Sequence, residues 1–248
     1  MKRIYFVSDA HLGSKLVVDP REHELKLVRW LDSIKSDASE LYLMGDMFDF
    51  WFEYKTVVPK GFTRFLGKLG ELSDSGISIH FFTGNHDMWT FGYLAQEVGM
   101  SVHYEPEIVE WSGKKLFLAH GDRLGDHSLS VRFIQAVFHN KICRTLFSYL
   151  PPRLGLGFGL QWSKSNRKKP KRRDYSGYLG EDNECLVRFA KAYPESAKID
   201  LFIFGHRHIL LDLMLKNDSR VCILGDWFTE FTYGVFEDGE FYLEHFEY

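Results

Sequence analysis

The sequence has little with which to cross-link, anchor or export itself. Its three cysteines, Cys143, Cys185 and Cys222, are odd in number, far apart and in no CxxC or CxxH spacing. That pattern suggests neither a disulfide framework nor a zinc ribbon and fits a reducing compartment. No stretch approaches the roughly 20 consecutive apolar residues of a membrane span. Met1-Lys2-Arg3 is followed by only four apolar residues before Ser8 and Asp9, too few for the hydrophobic region of a signal peptide. Positive charge is not in excess either. A formal net charge of -3 and a pI near 6.4 give no general pull toward nucleic acid or acidic membranes, so any attraction must come from a local patch. Internal repeats and low-complexity linkers are lacking. The expectation is a soluble cytosolic protein, tied to a surface only through something amphipathic.

Apolar residues, by contrast, are plentiful: 45% of 248 residues, enough for a sizeable core, with one large domain over 1–248 expected. They come in short runs that alternate with helical spacings. Ile4-Tyr5-Phe6-Val7 reads as a buried strand running into Ser8-Asp9-Ala10-His11. Leu27, Val28, Leu31 and Ile34 mark an amphipathic helix up to about Ser36, and Leu41 to Met44 a second strand ending in Gly45-Asp46-Met47-Phe48-Asp49. Phe62, Phe65, Leu66, Leu69 and Leu72 mark a helix stopped by Gly76, before a strand from Ile77 to Phe82 that ends in Thr83-Gly84-Asn85-His86-Asp87. Tyr93, Leu94 and Val98 suit a short helix. Glu107 to Trp111 and Lys114 to Ala119 form an expected hairpin whose second arm ends in His120-Gly121-Asp122. Cys185 to Tyr193 reads as a helix and Leu201 to Phe204 as a strand ending in Gly205-His206-Arg207-His208. Strands from Ile209 to Leu215, Arg220 to Leu224, Phe231 to Glu237 and Phe241 to Phe246 close the chain. This order predicts an α/β fold of layered sheets with helices outside, in which ligands sit at the carboxyl ends of strands.

The strand ends carry Asp9, His11, Asp46, Asn85, His120, His206 and His208. Oxygen and imidazole donors without thiolate suit manganese, iron, zinc or nickel. Seven are too many for one tetrahedral ion, but two metals sharing a carboxylate would use them all, about 3.5 to 4 Å apart with a bridging hydroxide. Singly, each has a plainer reading: Asn85-His86-Asp87 as turn chemistry, His206 and His208 as a surface pair, Asp49 as a helix cap. Five such endings in register after five apolar strands favour the metal site. Two divalent ions set against Asp9, Asp46 and a hydroxide leave a positive centre, which favours an anionic phosphoryl group.

In order and spacing, Asp9-Ala10-His11, Gly45-Asp46 with Asp49, Gly84-Asn85-His86-Asp87, His120-Gly121-Asp122 and Gly205-His206-Arg207-His208 resemble the five motifs of the calcineurin-like metallophosphoesterases. The resemblance implies an αββα sandwich of two mixed β-sheets flanked by helices. It assigns Asp9, His11 and His208 to one metal, Asn85, His120 and His206 to the other, and Asp46 to both. It also implies that His86 contacts the phosphoryl oxygen or protonates the leaving group, oriented by Asp87. Asp87 and Asp122 are further candidates to accept the second N–H of metal-bound histidines. His23, His80, His103, His139 and His245 fit no motif and are expected to be structural or exposed.

The compositional break is an insertion at about 123–182, expected as a helical lid. Val131, Ile134, Val137, Phe138 and Ile142 recur at helical spacing within 128–150, with Arg132, Lys141 and Arg144 among them. Pro151-Pro152 breaks that helix. Leu154 to Leu160, apolar residues alternating with glycine, suggests a pliable segment, and Arg167, Lys168, Lys169, Lys171, Arg172 and Arg173 form a basic run. An amphipathic helix beside such a run is the composition of a membrane-surface contact. The alternatives are a cap packed on the core with a solvated basic loop, and nucleic-acid binding, which the acidic balance and the lack of a basic, aromatic groove oppose.

Gly45 to Trp51, Lys141 to Leu150 and Ser163-Lys164-Ser165-Asn166 are similar to segments of the UDP-2,3-diacylglucosamine diphosphatases of lipid A biosynthesis. This resemblance implies cleavage of a nucleotide-linked lipid to UMP and the diacylated sugar phosphate by a metal-held hydroxide. It implies manganese as the cofactor, and a peripheral place on the cytoplasmic face of the inner membrane. Asn85, His86, Asp126, Ser163 and Lys164 would contact substrate. The chain departs from that family at His86, where arginine is common, and at Arg207, where threonine is common. A phosphodiesterase or phosphatase for soluble nucleotides would share the site but not the lipid, and a scaffold would have lost ligands.

Overall fold

The computed structural model describes residues 2–125, 128–168 and 177–247. The first half alternates strands and helices: β1 (Arg3–Val7), α1 (Pro20–Ile34), β2 (Ala38–Leu43), α2 (Thr63–Asp74), β3 (Ser78–Phe82), α3 (Tyr93–Val98) and β4 (Ser101–His103). A hairpin follows, β5 (Glu107–Trp111) and β6 (Lys114–Ala119), then three helices of the insertion, α4 (Leu129–His139), α5 (Lys141–Ser148) and α6 (Pro152–Lys168). The chain continues through α7 (Cys185–Ala192), β7 (Leu201–Phe204), β8 (Leu210–Met214), β9 (Arg220–Leu224), β10 (Thr232–Glu237) and β11 (Glu240–His245).

The strands form a six-stranded sheet, β11-β10-β1-β2-β3-β4, and a five-stranded sheet, β5-β6-β7-β9-β8. Both are mixed. β1 to β4 run parallel while β10 and β11 are antiparallel; β6, β7 and β9 run parallel while β5 and β8 are antiparallel. Side-chain alternation explains the continuous apolar runs. Tyr5, Val7, Leu41 and Leu43 pack against Trp30, Leu31, Phe65 and Leu69 of α1 and α2. Their neighbours Ile4, Phe6, Tyr42 and Met44 meet Leu116, Leu118, Ile203 and Leu224 of the other sheet. On the far side Phe117, Phe202, Phe204 and Ile223 pack against Leu186, Val187 and Ala190 of α7. The expected αββα sandwich is therefore present, and six of the parallel strands, β1, β2, β3, β6, β7 and β9, deliver their carboxyl ends to the functional residues.

The structure corrects the expectations in four places. Strand β4, three residues long, is too short to register as an alternation. Residues 128–150 form two helices rather than one, because Asn140 is extended (φ -70, ψ 122) and its side chain accepts from the amides of Ile142 and Cys143 to start α5. The glycine-rich stretch expected to be pliable is the body of α6. Gly155 and Gly159, four residues apart on one helical face, let α6 lie directly on Tyr54 and Phe50, where a Cβ would strike the tyrosine hydroxyl and the phenylalanine ring. The division of the insertion is also finer than expected: α6 packs on Tyr54 and Phe50, whereas α5 has no buried residue and Phe133, Ile142 and Tyr149 are 70%, 70% and 81% exposed. Most of the basic run lies outside the described residues.

Candidate metal centre

Five strand ends converge. Asp9 and His11 follow β1, Asp46 follows β2, Asn85 follows β3, His120 follows β6, and His206 and His208 follow β7. Asp9, His11, Asp46, His206 and His208 all have positive φ, between 43° and 66°. Non-glycine residues held there cost of order 1–3 kcal/mol each and persist only where the surroundings over-determine them. Gly84 admits a close approach, since a Cβ there would collide with the Asp46 carboxylate.

Three groups of potential ligand atoms lie within 4.8 Å of one another: Asp9, His11 and His208; Asp46, His120 and His206; and His11, Asp46 and His86. Nε2 of His11 is 3.2 Å from Nε2 of His208 and 3.7 Å from Asp9 Oδ1 and from Asp46 Oδ2. Nε2 of His120 is 3.4 Å from the same Asp46 Oδ2. Asp46 thus stands between two clusters, as a shared carboxylate must.

The orientation of each donor is set from behind. Asp46 Oδ1 accepts from the His86 amide at 2.8 Å and Asp9 Oδ2 from the His206 amide at 2.8 Å and from the Ser8 hydroxyl. In each carboxylate one oxygen is tied to the backbone and the other is aimed into the cluster. His120 Nδ1 lies 2.8 Å from the Met44 carbonyl; a carbonyl only accepts, so Nδ1 carries the proton and Nε2 presents its lone pair. Among the described residues Asp9 Oδ1, Asn85 Oδ1 and His120 Nε2 are buried with no hydrogen-bond partner. Orphaned buried acceptors of this kind, all oxygen or imidazole nitrogen, fit a pair of divalent cations.

Charge within the cluster is mutually compensated. Burial opposes ionisation of Asp46, yet the His120 and His86 imidazoles hold it well below the usual carboxylate range. Burial likewise opposes charge on His120, but the Asp46 and Asp9 carboxylates favour a positive charge at Nε2 and raise its pKa, and a divalent cation bound there would take the place of that proton. His206, desolvated and facing His120, is pushed well down and is neutral, as a ligand requires.

His86 is brought into the centre, its ring edge-on to His11 at 4.7 Å and its Nε2 3.9 Å from Asp46 Oδ2. Its orientation does not come from Asp87. The Asp87 carboxylate is fully buried and accepts backbone N–H groups of Gly84, Asp46, Met47 and Phe48 at 2.8 to 3.4 Å. Asp87 therefore staples the second and third strand-end loops together, and His86 Nδ1 donates instead to the Asp49 carbonyl at 2.7 Å.

The carboxylates behind the histidines also differ from those expected. Asp49 Oδ1 lies 3.7 Å from His11 Nδ1 and Asp226 Oδ2 3.5 Å from His208 Nδ1, positions that fix metal-binding rings. Neither Asp87 nor Asp122 makes such a contact. Asp226 was missed by motif reading, although Leu224-Gly225-Asp226 repeats the strand-end pattern of Met44-Gly45-Asp46.

A cavity of about 730 Å³ opens from the centre into the insertion. Asn85, His86 and His206 form its polar floor; Phe50, Trp89, Phe138, Phe147, Phe158 and Trp162 supply aromatic walls. Of the residues expected to touch substrate, Ser163 lies in the wall, buried, with its hydroxyl donating to Asp49 Oδ1 at 3.0 Å. Lys164 is not in the wall, and Asp126 lies outside the described residues.

A cluster of aspartate, asparagine and histidine at the ends of two mixed sheets suits a metal-dependent hydrolase, and residues 2–210 match the family model of the calcineurin-like phosphoesterases. The chain belongs to that family. It is 46% identical over 257 residues to a UDP-2,3-diacylglucosamine hydrolase of Porphyromonas gingivalis, covering 99% of this chain and 98% of the relative. A UDP-2,3-diacylglucosamine hydrolase of Aeromonas salmonicida is 28% identical, covering 96% of this chain and 91% of its own. Among solved structures, Yfce, a phosphoesterase from E. coli, has a TM-score of 0.45 at 14% identity, covering 95% of this chain and 88% of that one.

Proposed function

We propose that the chain hydrolyses the pyrophosphate of UDP-2,3-diacylglucosamine to UMP and 2,3-diacylglucosamine 1-phosphate. The observation that carries this reading is the continuity of the cavity from the ligand cluster into the aromatic lid. A nucleobase could stack on one or two of those rings, but only something as large and apolar as acyl chains would cover a wall of six. The name of the 46% identical relative points the same way.

Two divalent ions, for which manganese is our choice, would supply positive charge for the phosphoryl group and lower the pKa of a water. Asp9, His11 and His208 would hold one, Asn85, His120 and His206 the other, with Asp46 shared. Water adds across the P–O–P bridge: its oxygen bonds to one phosphorus, and the bridging oxygen departs with the other phosphate. His86 is placed to serve that departure. With Nδ1 donating to the Asp49 carbonyl, a protonated ring presents Nε2–H to the cavity, and a neutral ring accepts there. Ser163 joins the lid to Asp49 and so to His11, which links closure over the lipid to the ligand set.

The reading treats 1–248 as one domain with its lid at 123–182. No described helix is long and apolar enough to cross a membrane. The outward apolar residues of the lid, with the basic run, give a peripheral contact on the cytoplasmic face of the inner membrane. The decisive experiment incubates manganese-loaded protein with UDP-2,3-diacylglucosamine and with simple nucleotide diesters. Strong preference for the lipid is expected, with no turnover by Asp46→Ala; comparable hydrolysis of both substrates defeats the reading.

A further inference from the structure

Arg207 stands between two ligands, His206 and His208, and forms part of the cavity wall with Asn183, Glu184 and Arg188. Its Nε donates to Glu184 Oε1 at 2.6 Å and its Nη2 to Glu184 Oε2 at 3.0 Å, a two-point pairing. Glu184 has no exposed side-chain surface and Arg207 only 11%. Burying both ions is expensive, and an apolar pair of similar volume stabilises such a place at least as well. A deep, doubly bonded pair is therefore poorly explained as a brace. What it provides is a planar cation fixed in one orientation beside the metal ligands.

The rest of the cavity shows what that cation is for. Among the described lining residues the only lysine or arginine side chains are Arg207 and Arg188, one turn along α7, and both belong to the wall opposite in character to the lid. The lid contributes Val131, Ile134, Phe138, Phe147, Phe158 and Trp162, none of which can neutralise an anion. A diphosphate brings two anionic phosphoryl groups, and the ligand cluster accounts for one. We infer that Arg207, positioned by Glu184, binds the phosphoryl group that is not attacked and thereby selects anhydrides over phosphate esters with a single phosphorus. The inference rests on the pyrophosphate reading and adds the residue that makes the centre specific for it. No covalent step at Arg207 is involved: as the bridging oxygen leaves, its electron pair stays on the phosphate that the guanidinium holds.

Arg207→Gln alone would leave Glu184 buried without its partner, so the principal probe is the double variant Arg207→Gln, Glu184→Gln, whose amides can still pair. Manganese-loaded double variant is expected to lose about 10- to 100-fold in kcat/KM on the diphosphate substrate, at least about tenfold more than it loses on bis(4-nitrophenyl) phosphate. By calorimetry it should bind the non-hydrolysable α,β-methylene analogue of UDP about tenfold more weakly, with a much smaller change for UMP. Arg207→Lys, which keeps a charge on Glu184 but not the planar fork, should shift both measurements in the same direction by less. Equal losses on both substrates, or unchanged binding of the methylene analogue, would overturn the proposal. Because the analogue carries no lipid, a selective loss of its binding upholds Arg207 even if UDP-2,3-diacylglucosamine proves not to be cleaved.

Discussion

Asp226 shows how a single residue supports the centre without joining it. Its Oδ1 accepts the amides of Phe228 and Thr229 at 2.9 and 2.8 Å while Oδ2 faces His208. Burial works against ionisation, but His208 and those amides hold Asp226 at about 2. That folded value lies below the ~3.9 of an unfolded aspartate. The stability it contributes is therefore full above about pH 4 and lost as pH falls toward 2. Asp226→Asn should lower the urea midpoint at pH 6 and make the decline between pH 4 and 2.5 shallower than in the parent; parallel acid profiles would refute the assignment. The ligands were legible because each sits at the end of an apolar run. Asp226 also ends an apolar run, and Asp49 follows Asp46 within one motif, but the roles of both, and of the Glu184–Arg207 pair, lie in contacts between segments far apart in the chain and were therefore not legible. Asp87 was misread for a related reason: adjacency to His86 suggested a partner, whereas the carboxylate turns away to four amides.

At the scale of elements, α6 carries the clearest test. Alternating glycines lower helix propensity by about 1 kcal/mol each relative to alanine, and the sequence alone therefore argued against a helix. Contact decides otherwise, and it distinguishes the glycines. Gly157 has open space around its Cβ position, while Gly159 lies against Phe50. Gly157→Ala should leave turnover unchanged and stabilise the lid by up to about 1 kcal/mol, seen as slower amide exchange in α6. Gly159→Ala should push α6 off Phe50, raise KM for the lipid substrate several-fold and leave hydrolysis of bis(4-nitrophenyl) phosphate unchanged. If both variants behave alike, docking through Gly159 is wrong.

The whole molecule is two sheets meeting through an apolar interface, with the polar centre at one end of the seam. The layer order could be read from alternating runs, since parallel strands covered on both faces show no polar alternation. The position of the insertion could be read too, but not its division between cavity wall and outer surface, which depends on how α4, α5 and α6 turn relative to one another. Chelation should abolish turnover and lower the melting temperature, because the ions bind only the folded state. The protein should nevertheless stay folded, since the apolar layers on both sides of each sheet are independent of the centre. Retention of circular dichroism with loss of activity is the expected signature; collapse to an unfolded spectrum would show that the metals hold the fold together.

The distribution of ligands between the sheets has a consequence for assembly. Asp9, His11, Asp46 and Asn85 come from the six-stranded sheet, and His120, His206 and His208 from the five-stranded one. Each half of the chain thus offers an incomplete set for either ion, and neither coordination sphere exists until the sheets have docked in register. Metal capture would accordingly require the two sheets to be docked first, so that a molecule with misregistered sheets would lack a place for either ion.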